Sequence, residues 1–396
     1  MTSPPVSLRH DPVAGRLALR EALLRPPPGL DTLGLVFLFC ETLSSLGVPL
    51  ERSRCVLFTL HPLFHARSFV WDTRIGSTTE VHRHGIQELP DYTKSPVAAV
   101  REQGVARIRR RLEDPGVPAD FDGLAGLRER GVTDYLCLPV PFIDGSVHAM
   151  SFATVAAGGF VDVEADAIEE ALRLLAFLME ITARRDVTNV MLRTYLGADA
   201  ARHVLSGQVR LGDGETITSV IWLSDLREFT AMTDSLPRAE LLELLDAFYD
   251  AVVTSIENED GEVLKFIGDA VLAAVPVDPA GGPAPAVRRA LKAAQDAMHR
   301  ADAVNASRRS QGRRPFAFGI ALHVGEVTYG NVGVPERLDF TVIGPAVNLA
   351  SRIEGLCRPL GEFALASEVF ASHCSAEEVR DLGPQTVRGV DHPVRV

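Results

Sequence analysis

The chain reads as an α+β protein built in two parts. Its length of 396 residues, a change of pattern near Thr216, and the alternation of short period-two strands with long helices beyond that point all predict it. A chain of this size exceeds one ordinary core and suits two domains of common size. With 46% hydrophobic and 23% charged residues, it has the composition of a folded protein.

Residues 1–29, which include Pro26-Pro27-Pro28, read as an irregular lead-in, because proline fixes φ and removes a backbone donor. Residues 30–185 form the first domain. A helix runs from Asp31 to a stop at Gly47, carrying Leu33, Phe37, Leu38, Leu43 and Leu46. Strands follow at Cys55–Leu60 and Ser68–Trp71, then a short helix near Val97–Gln103, then strands Tyr135–Val140 and Ala149–Thr154 about an Asp144-Gly145 turn. Helix Glu164–Arg184 closes the domain, with Ile168, Leu172, Leu175, Leu178 and Met179 at helical spacing. Residues 186–214 read as a helical connector, in which Val187–Leu205 keeps a helical pattern up to a break at Gly207 and LGDGE (Leu211–Glu215) turns into the next strand.

Residues 215–396 form the second domain. Strand Thr218–Ser224 precedes helix Arg238–Ile256, strand Glu262–Phe266, a turn at Ile267-Gly268 and strand Asp269–Val275. Helix Ala286–Arg308, strands Phe316–His323 and Glu326–Tyr329, helix Gly344–Leu356, and strands near Thr386–Gly389 and the C-terminus complete it. The strand–helix–strand–strand–helix–strand order is ferredoxin-like, with additions.

The formal net charge of −12 repels polyanions and argues against nonspecific nucleic-acid binding. Five cysteines, Cys40, Cys55, Cys137, Cys357 and Cys374, are dispersed without a CxxC pair, as suits reduced thiols in a cytoplasm. The opening MTSPPVSLRHDPVAG contains no apolar leader segment, and the densest apolar runs, such as LGLVFLF from Leu33, fall short of a membrane span. A cytoplasmic protein without a membrane span is the expectation.

Candidate chemistry gathers in the second domain. Asp225 ends the apolar strand VIWLSD and Asp269 starts the second arm of the hairpin KFIGDAVLA, so both carboxylates can lie at one edge of a sheet. Taken singly, each is a turn or cap residue. Together they suit a two-metal site, where hard cations take oxygen ligands and clamp the oxygens of phosphoryl transfer. Backbone amides after Asp225, over Leu226–Thr230, stand where polyphosphate oxygens can bind. Asn348 and Arg352 are four residues apart in VIGPAVNLASR, hence on one helix face, suited either to a ribose and a phosphate or simply to solvent.

These residues carry a resemblance. SDLREFT (Ser224–Thr230), GEVLKFIGDAVLA (Gly261–Ala273), ALHVGEVTYGNVG (Ala321–Gly333) and FTVIGPAVNLASRIE (Phe340–Glu354) follow one another as in class III adenylate and guanylate cyclases, which residues 216–396 resemble. The resemblance implies a metal set of Asp225, Leu226 and Asp269 holding two Mg²⁺ or Mn²⁺ ions per active site, with Phe229 and Thr230 at the substrate. It implies that Asn348 orients the ribose, Arg352 stabilises the pentacovalent transition state and Arg388 contacts the terminal phosphates. Lys265 and Thr341 match the base-selecting positions in an adenine-specific, bacterial pattern, so ATP is the implied substrate and a homodimer the implied assembly. Metal residues would come from one subunit and Lys265, Thr341, Asn348 and Arg352 from the other. One departure stands out: Glu228 occupies a position where the family usually has Gly, in the loop that approaches the polyphosphate, and an added carboxylate there repels it.

The first domain resembles GAF sensor domains in its order of elements and would receive an unknown small-molecule or protein signal. His61, His65, His82 and His84, with Cys55 nearby in sequence, suggest a metal or haem sensor on one reading and solvated or core histidines on the other; they match no standard zinc spacing. Two further functions compete with the enzyme. One is a non-catalytic ATP-binding switch, kept in play by Glu228. The other is a diguanylate cyclase, opposed by the absence of a GGDEF-like cluster at GDAVL.

Overall fold

A computed structural model describes residues 7–118, 120–387 and 392–396. The chain divides into two compact units, Met1–Met191 and Leu192–Val396.

The first unit opens with a helix where the proline-rich sequence suggested irregular chain: α1 spans Pro12–Leu24. The prolines occupy permitted places. Pro12 takes the first helical position, where its missing N–H costs nothing, and the Asp11 side chain caps the turn by accepting from the Ala14 amide at 3.0 Å. Pro26-Pro27-Pro28 follow the last turn, while Leu19 and Leu23 bury the inner face.

After α2 (Thr32–Ser45) come β1 (Arg52–Phe58), β2 (Ala66–Asp72), β3 (Thr78–His82), α3 (Pro90–Thr93), α4 (Pro96–Glu102), β4 (Ile108–Arg111), α5 (Gly123–Glu129), β5 (Asp134–Pro141), β6 (Val147–Thr154) and α6 (Asp162–Leu196). The strands form one antiparallel sheet in the order β3-β2-β1-β6-β5-β4. Its two faces carry separate cores. Phe39, Leu43, Ile168, Leu172, Leu175 and Met179 pack α2 and α6 on one face, and Ala99, Val100 and Leu124 pack α4 and α5 on the other. The β5–β6 hairpin turns at Gly145 (φ 85°), as the Asp144-Gly145 dipeptide predicts. Strands β3 and β4 escape a pattern search, because β3 is exposed from Thr78 to Val81 and β4 reads IRRR.

The closing helix does not stop at Arg184. Helix α6 continues to Leu196 and breaks at Gly197, whose φ of 92° favours glycine and where an added Cβ would meet the Val263 carbonyl at 3.3 Å. Helix α7 (Ala198–Leu205) follows.

In the second unit, β7 (Gly214–Leu226), α8 (Phe229–Ser235), α9 (Arg238–Glu257), β8 (Glu262–Ile267), β9 (Ala270–Pro276), α10 (Pro283–Ser310), β10 (Phe318–Val334), β11 (Arg337–Ile343), α11 (Pro345–Leu360), β12 (Ala364–Ala366), α12 (Glu368–Ala371), β13 (Pro384–Gln385) and β14 (Val394–Arg395) follow in order. The main sheet runs β11-β10-β7-β9-β8, with β12 parallel to β10. The inner order β10-β7-β9-β8 is the ferredoxin-like one expected from the sequence. Leu244, Phe248 and Val252 of α9 and Ala290, Ala293 and Ala297 of α10 cover one face. Ala200 of α7 and Ala346 and Ala350 of α11 share a core with Ile221, Leu272 and Phe340. Where the sequence suggested two strands, β10 is one strand of 17 residues, and its hairpin partner β11 was not foreseen. The polar face of RLDFTVI hides the buried Phe340 and Val342 beneath it.

Candidate active site

Strand β7 carries Asp225 to the sheet edge, paired in register with Ala270 on one side and Gly319 on the other. The turn between β8 and β9 passes through Gly268 (φ 65°), and the Tyr249 hydroxyl donates to the Gly268 carbonyl at 2.5 Å. Asp269 follows, its backbone carbonyl accepting from the Leu226 amide at 3.4 Å. Asp225, Leu226 and Asp269 are therefore brought together. Burial, then the negative charge of Asp269 beside it, pushes the Asp225 carboxyl up to about 6.

A third acid lies close, and sequence reasoning missed it. An added Cβ on Gly319, the register partner of Asp225, would meet Glu354 Oε1 at 2.6 Å, so the Glu354 carboxylate lies directly against the backbone beside Asp225. Burial pushes Glu354 up to about 7, with Asp225 and Asp269 adding to the shift and Arg227 opposing it. Its signal was the acid two residues past Arg352 in NLASRIE. The Asp225 and Asp269 carboxylates, with the Leu226 backbone carbonyl beside them, are the hard oxygen donors that a divalent cation takes.

Phe229 and Thr230 open α8, directly after the turn that leaves β7. Glu228 in that turn has φ 63°, the left-handed conformation for which glycine is best suited. Its carboxylate turns to Arg314, which donates to Oε2 at 3.0 Å, so the added negative charge meets a guanidinium of the same chain.

The remaining candidates stand apart from the acids. A β-bulge between Val263 and Lys265 sets the face Lys265 presents from β8. Lys265 Nζ donates to Asp339 Oδ2 at 2.5 Å, and Thr341 lies two residues beyond Asp339 on β11. Asn348 and Arg352 lie one turn apart on α11, and neither side chain makes a hydrogen bond or ion pair among the described residues. Arg388 lies outside the described residues.

Residues 214–392 match the family model described as adenylate and guanylate cyclase catalytic domain. This segment belongs to the class III nucleotide cyclases. Over 170 residues the chain is 30% identical to adenylate cyclase 1 of Rhizobium meliloti, a match covering 42% of this chain and 25% of that one. Over 192 residues it is 31% identical to an adenylate cyclase of Anabaena cylindrica, covering 48% and 36%. Among solved structures, the adenylyl cyclase CyaB from P. aeruginosa is 28% identical, covers 46% of this chain and 93% of its own, and gives a TM-score of 0.41. The match thus spans only a quarter to about a third of the length of these two curated relatives.

The cyclase domain is also fastened to the helix that precedes it. The Asp199 amide in α7 donates to Glu262 Oε1 at 3.0 Å, and the Tyr329 hydroxyl bridges Asp199 (2.7 Å) and Glu262 (3.0 Å). His203 stacks on Phe340 with ring centres 5.2 Å apart. Strands β8 and β11, which carry Lys265 and Thr341, thus both touch α7.

In the first unit the candidate sensor histidines do not converge. His82 Nε2 meets Ser68 Oγ at 2.7 Å, His84 Nε2 bonds the His61 carbonyl at 2.9 Å, and His61 stacks on Phe64. Cys55 is buried in the core beneath α2 and α6. Among the described residues, no group of three or more His, Cys, Asp or Glu side chains is arranged to hold a metal, and no helix is long and apolar enough to cross a membrane.

Proposed function

We propose that the chain is an adenylate cyclase converting ATP to 3′,5′-cyclic AMP and diphosphate, at sites shared between two copies of itself. The geometry of α11 carries this reading. Glu354 faces the chain's own acid pair, whereas Arg352, two residues earlier, lies about 200° away around a helix of 3.6 residues per turn. Asn348 and Arg352 therefore point away from Asp225 and Asp269 of their own chain, and a two-fold partner would bring each set the other it needs.

In this reading Asp225, Leu226 and Asp269 hold two Mg²⁺ or Mn²⁺ ions, which when bound supply charge neutralisation and favour ionisation of the ribose 3′-hydroxyl. Asn348 orients the ribose, Phe229 and Thr230 line the phosphates, and Arg352 stabilises the charge gathering on the pentacovalent phosphorus. The 3′-oxygen bonds to the α-phosphorus as the bond to the bridging oxygen breaks and diphosphate leaves. Lys265 donates to adenine N1 and Thr341 lies by the exocyclic amine, favouring ATP over GTP. The Arg314 contact to Glu228 weakens the case for a non-catalytic switch.

Residues 30–185 act in this reading as a GAF-like sensor for a small-molecule or protein signal. The sheet order β3-β2-β1-β6-β5-β4 with helices on both faces supports it. Residues 186–214 couple the signal to catalysis, supported by the ties of α7 to β8 and β10. Five free cysteines and an ATP substrate suit a cytoplasmic site.

Mixing two inactive variants tests the reading. Asp269→Ala and Arg352→Ala should each lose on the order of 10²-fold or more in ATP turnover, since each removes charge stabilisation from both sites of a homodimer. A mixed dimer collects both defects in one site and leaves the other intact, so cyclic AMP formation should recover toward about half the wild-type rate per heterodimer if the sites act independently. No recovery despite demonstrated heterodimers, or turnover of GTP equal to that of ATP, would sink it.

A further inference from the structure

Lys265 and Asp339 form an ion pair that stability does not explain. Their side chains are 44% and 58% exposed, and a pair so open to water adds little to stability. The fold nonetheless sets it with care. Strands β8 and β11 stand at opposite ends of the sheet order, yet the bulge before Lys265 turns Leu264 into the core that also holds Phe340, and this packing draws the two strands together. Along β11 the buried Phe340 and Val342 alternate with Asp339 and Thr341, so the last two share the outer face, about 7 Å apart along the strand. The ammonium of Lys265, the carboxylate of Asp339 and the hydroxyl of Thr341 thus form one patch with a donor beside two acceptors.

We propose that Asp339 is a specificity-determining residue that accepts a hydrogen bond from the exocyclic amine of adenine. The inference rests on the adenylate cyclase reading and deepens it. Adenine presents a ring acceptor, N1, beside an amine with two N–H bonds. Lys265 meets the acceptor, and Thr341 and Asp339 take one N–H each. Base entry exchanges the internal ammonium–carboxylate bond for bonds to the base, so neither charge is left unpaired. Guanine presents the reverse order, a ring N–H beside a carbonyl oxygen, which would set that oxygen against the carboxylate and the N–H against the ammonium.

Purine riboside triphosphate, which keeps N1 and lacks the amine, separates this role from mere support of Lys265. In the full chain, Asp339→Ala should lower kcat/KM for ATP about 10- to 100-fold, the range of a hydrogen bond to a charged group. It should leave purine riboside triphosphate within about 2-fold of wild type, because that base offers no N–H to lose. Asp339→Asn, which keeps a carbonyl acceptor, should recover part of the loss. Equal losses for the two nucleotides would reduce Asp339 to a support for Lys265 and overturn the proposal, as would no loss for either. Binding of the α,β-methylene analogues of both nucleotides gives the same comparison without turnover. If the wild type makes no cyclic product while Asp339→Ala still weakens only the ATP analogue, the enzymatic reading falls and the assignment of Asp339 stands.

Discussion

The two units treat their buried and half-buried acids in opposite ways. In the first, each is paired. Asp72 accepts from Arg52 at 2.8 Å, from Arg130 at 3.0 Å and from the amides of Arg74 and Ile75, and although burial pushes its carboxyl upward, these partners outweigh it and hold the group at about 2. Asp134 is met by Arg109 at 2.8 Å, and Glu164 by Arg9 at 3.0 Å. In the second unit Asp225 and Glu354, both half-buried, are pushed up by burial and then by neighbouring carboxylates, Asp269 beside the first and Asp225 and Asp269 beside the second. A buried acid with its own cation serves the fold, whereas acids gathered without one hold strain that a bound cation relieves.

The largest effect expected from this contrast is on the paired side. Asp72→Ala strands two guanidinium groups around a side chain with no exposure. Breaking such a buried pair costs roughly 3–5 kcal/mol, so the melting temperature of the first unit should fall by on the order of 10 °C. The pH dependence has a definite sign. Because the folded carboxyl sits at about 2, below its unfolded value of about 3.9, its contribution is present above roughly pH 4 and is lost as pH falls toward 2. Calorimetry of wild type and variant between pH 2 and 7 should find their difference shrinking toward the acid end. A constant difference would mean that packing, not charge, is what Asp72 supplies.

The unpaired side should respond in the opposite direction. Asp225→Asn removes one charge from the acid cluster, so the metal-free chain should melt higher, by roughly 2–4 °C for each kcal/mol of repulsion relieved. Added Mg²⁺ or Mn²⁺ should stabilise the wild type more than the variant, since stabilisation follows the affinity of the folded state for the ion. A variant that melts lower without metal would place Asp225 with Asp72 as a structural acid and erase the contrast.

Legibility followed the same division. The approach of Asp225 to Asp269 and the shared helix face of Asn348 and Arg352 could be read from the sequence, because a strand end, a glycine turn and an i, i+4 spacing are local features. Glu354 could not, because its meaning depends on Gly319, a residue 35 positions earlier on the neighbouring strand. Asp339 escaped for the same reason, its partner being brought across by a bulge. Helix α1 stands where the prolines suggest an irregular lead-in, because they lie at the start and beyond the end of a helix rather than inside it. The order of elements in the first unit was partly legible from long apolar elements, whereas β3 and β4, exposed or strongly basic, left no periodic trace.

The smallest expected effect concerns the one added acid that has acquired a partner. Glu228 sits at φ 63° and reaches Arg314, so it belongs by chemistry with the paired acids and by position with the unpaired ones. Glycine in its place would relieve a left-handed residue, worth roughly 1–2 kcal/mol, but would free the unfolded chain by nearly as much. The melting temperature should therefore move little. Catalysis offers the sharper measure. If Arg314 cancels the carboxylate, Arg314→Ala should raise KM for ATP by about 3- to 5-fold in the wild type, the effect of one partly screened charge at about 4 Å. In a Glu228→Gly background, which has no carboxylate to unmask, the same change should do nothing. A double-mutant cycle reads this directly. Equal effects of Arg314→Ala in both backgrounds would mean that Arg314 acts on the nucleotide itself, and that Glu228 is a bystander held in a strained turn.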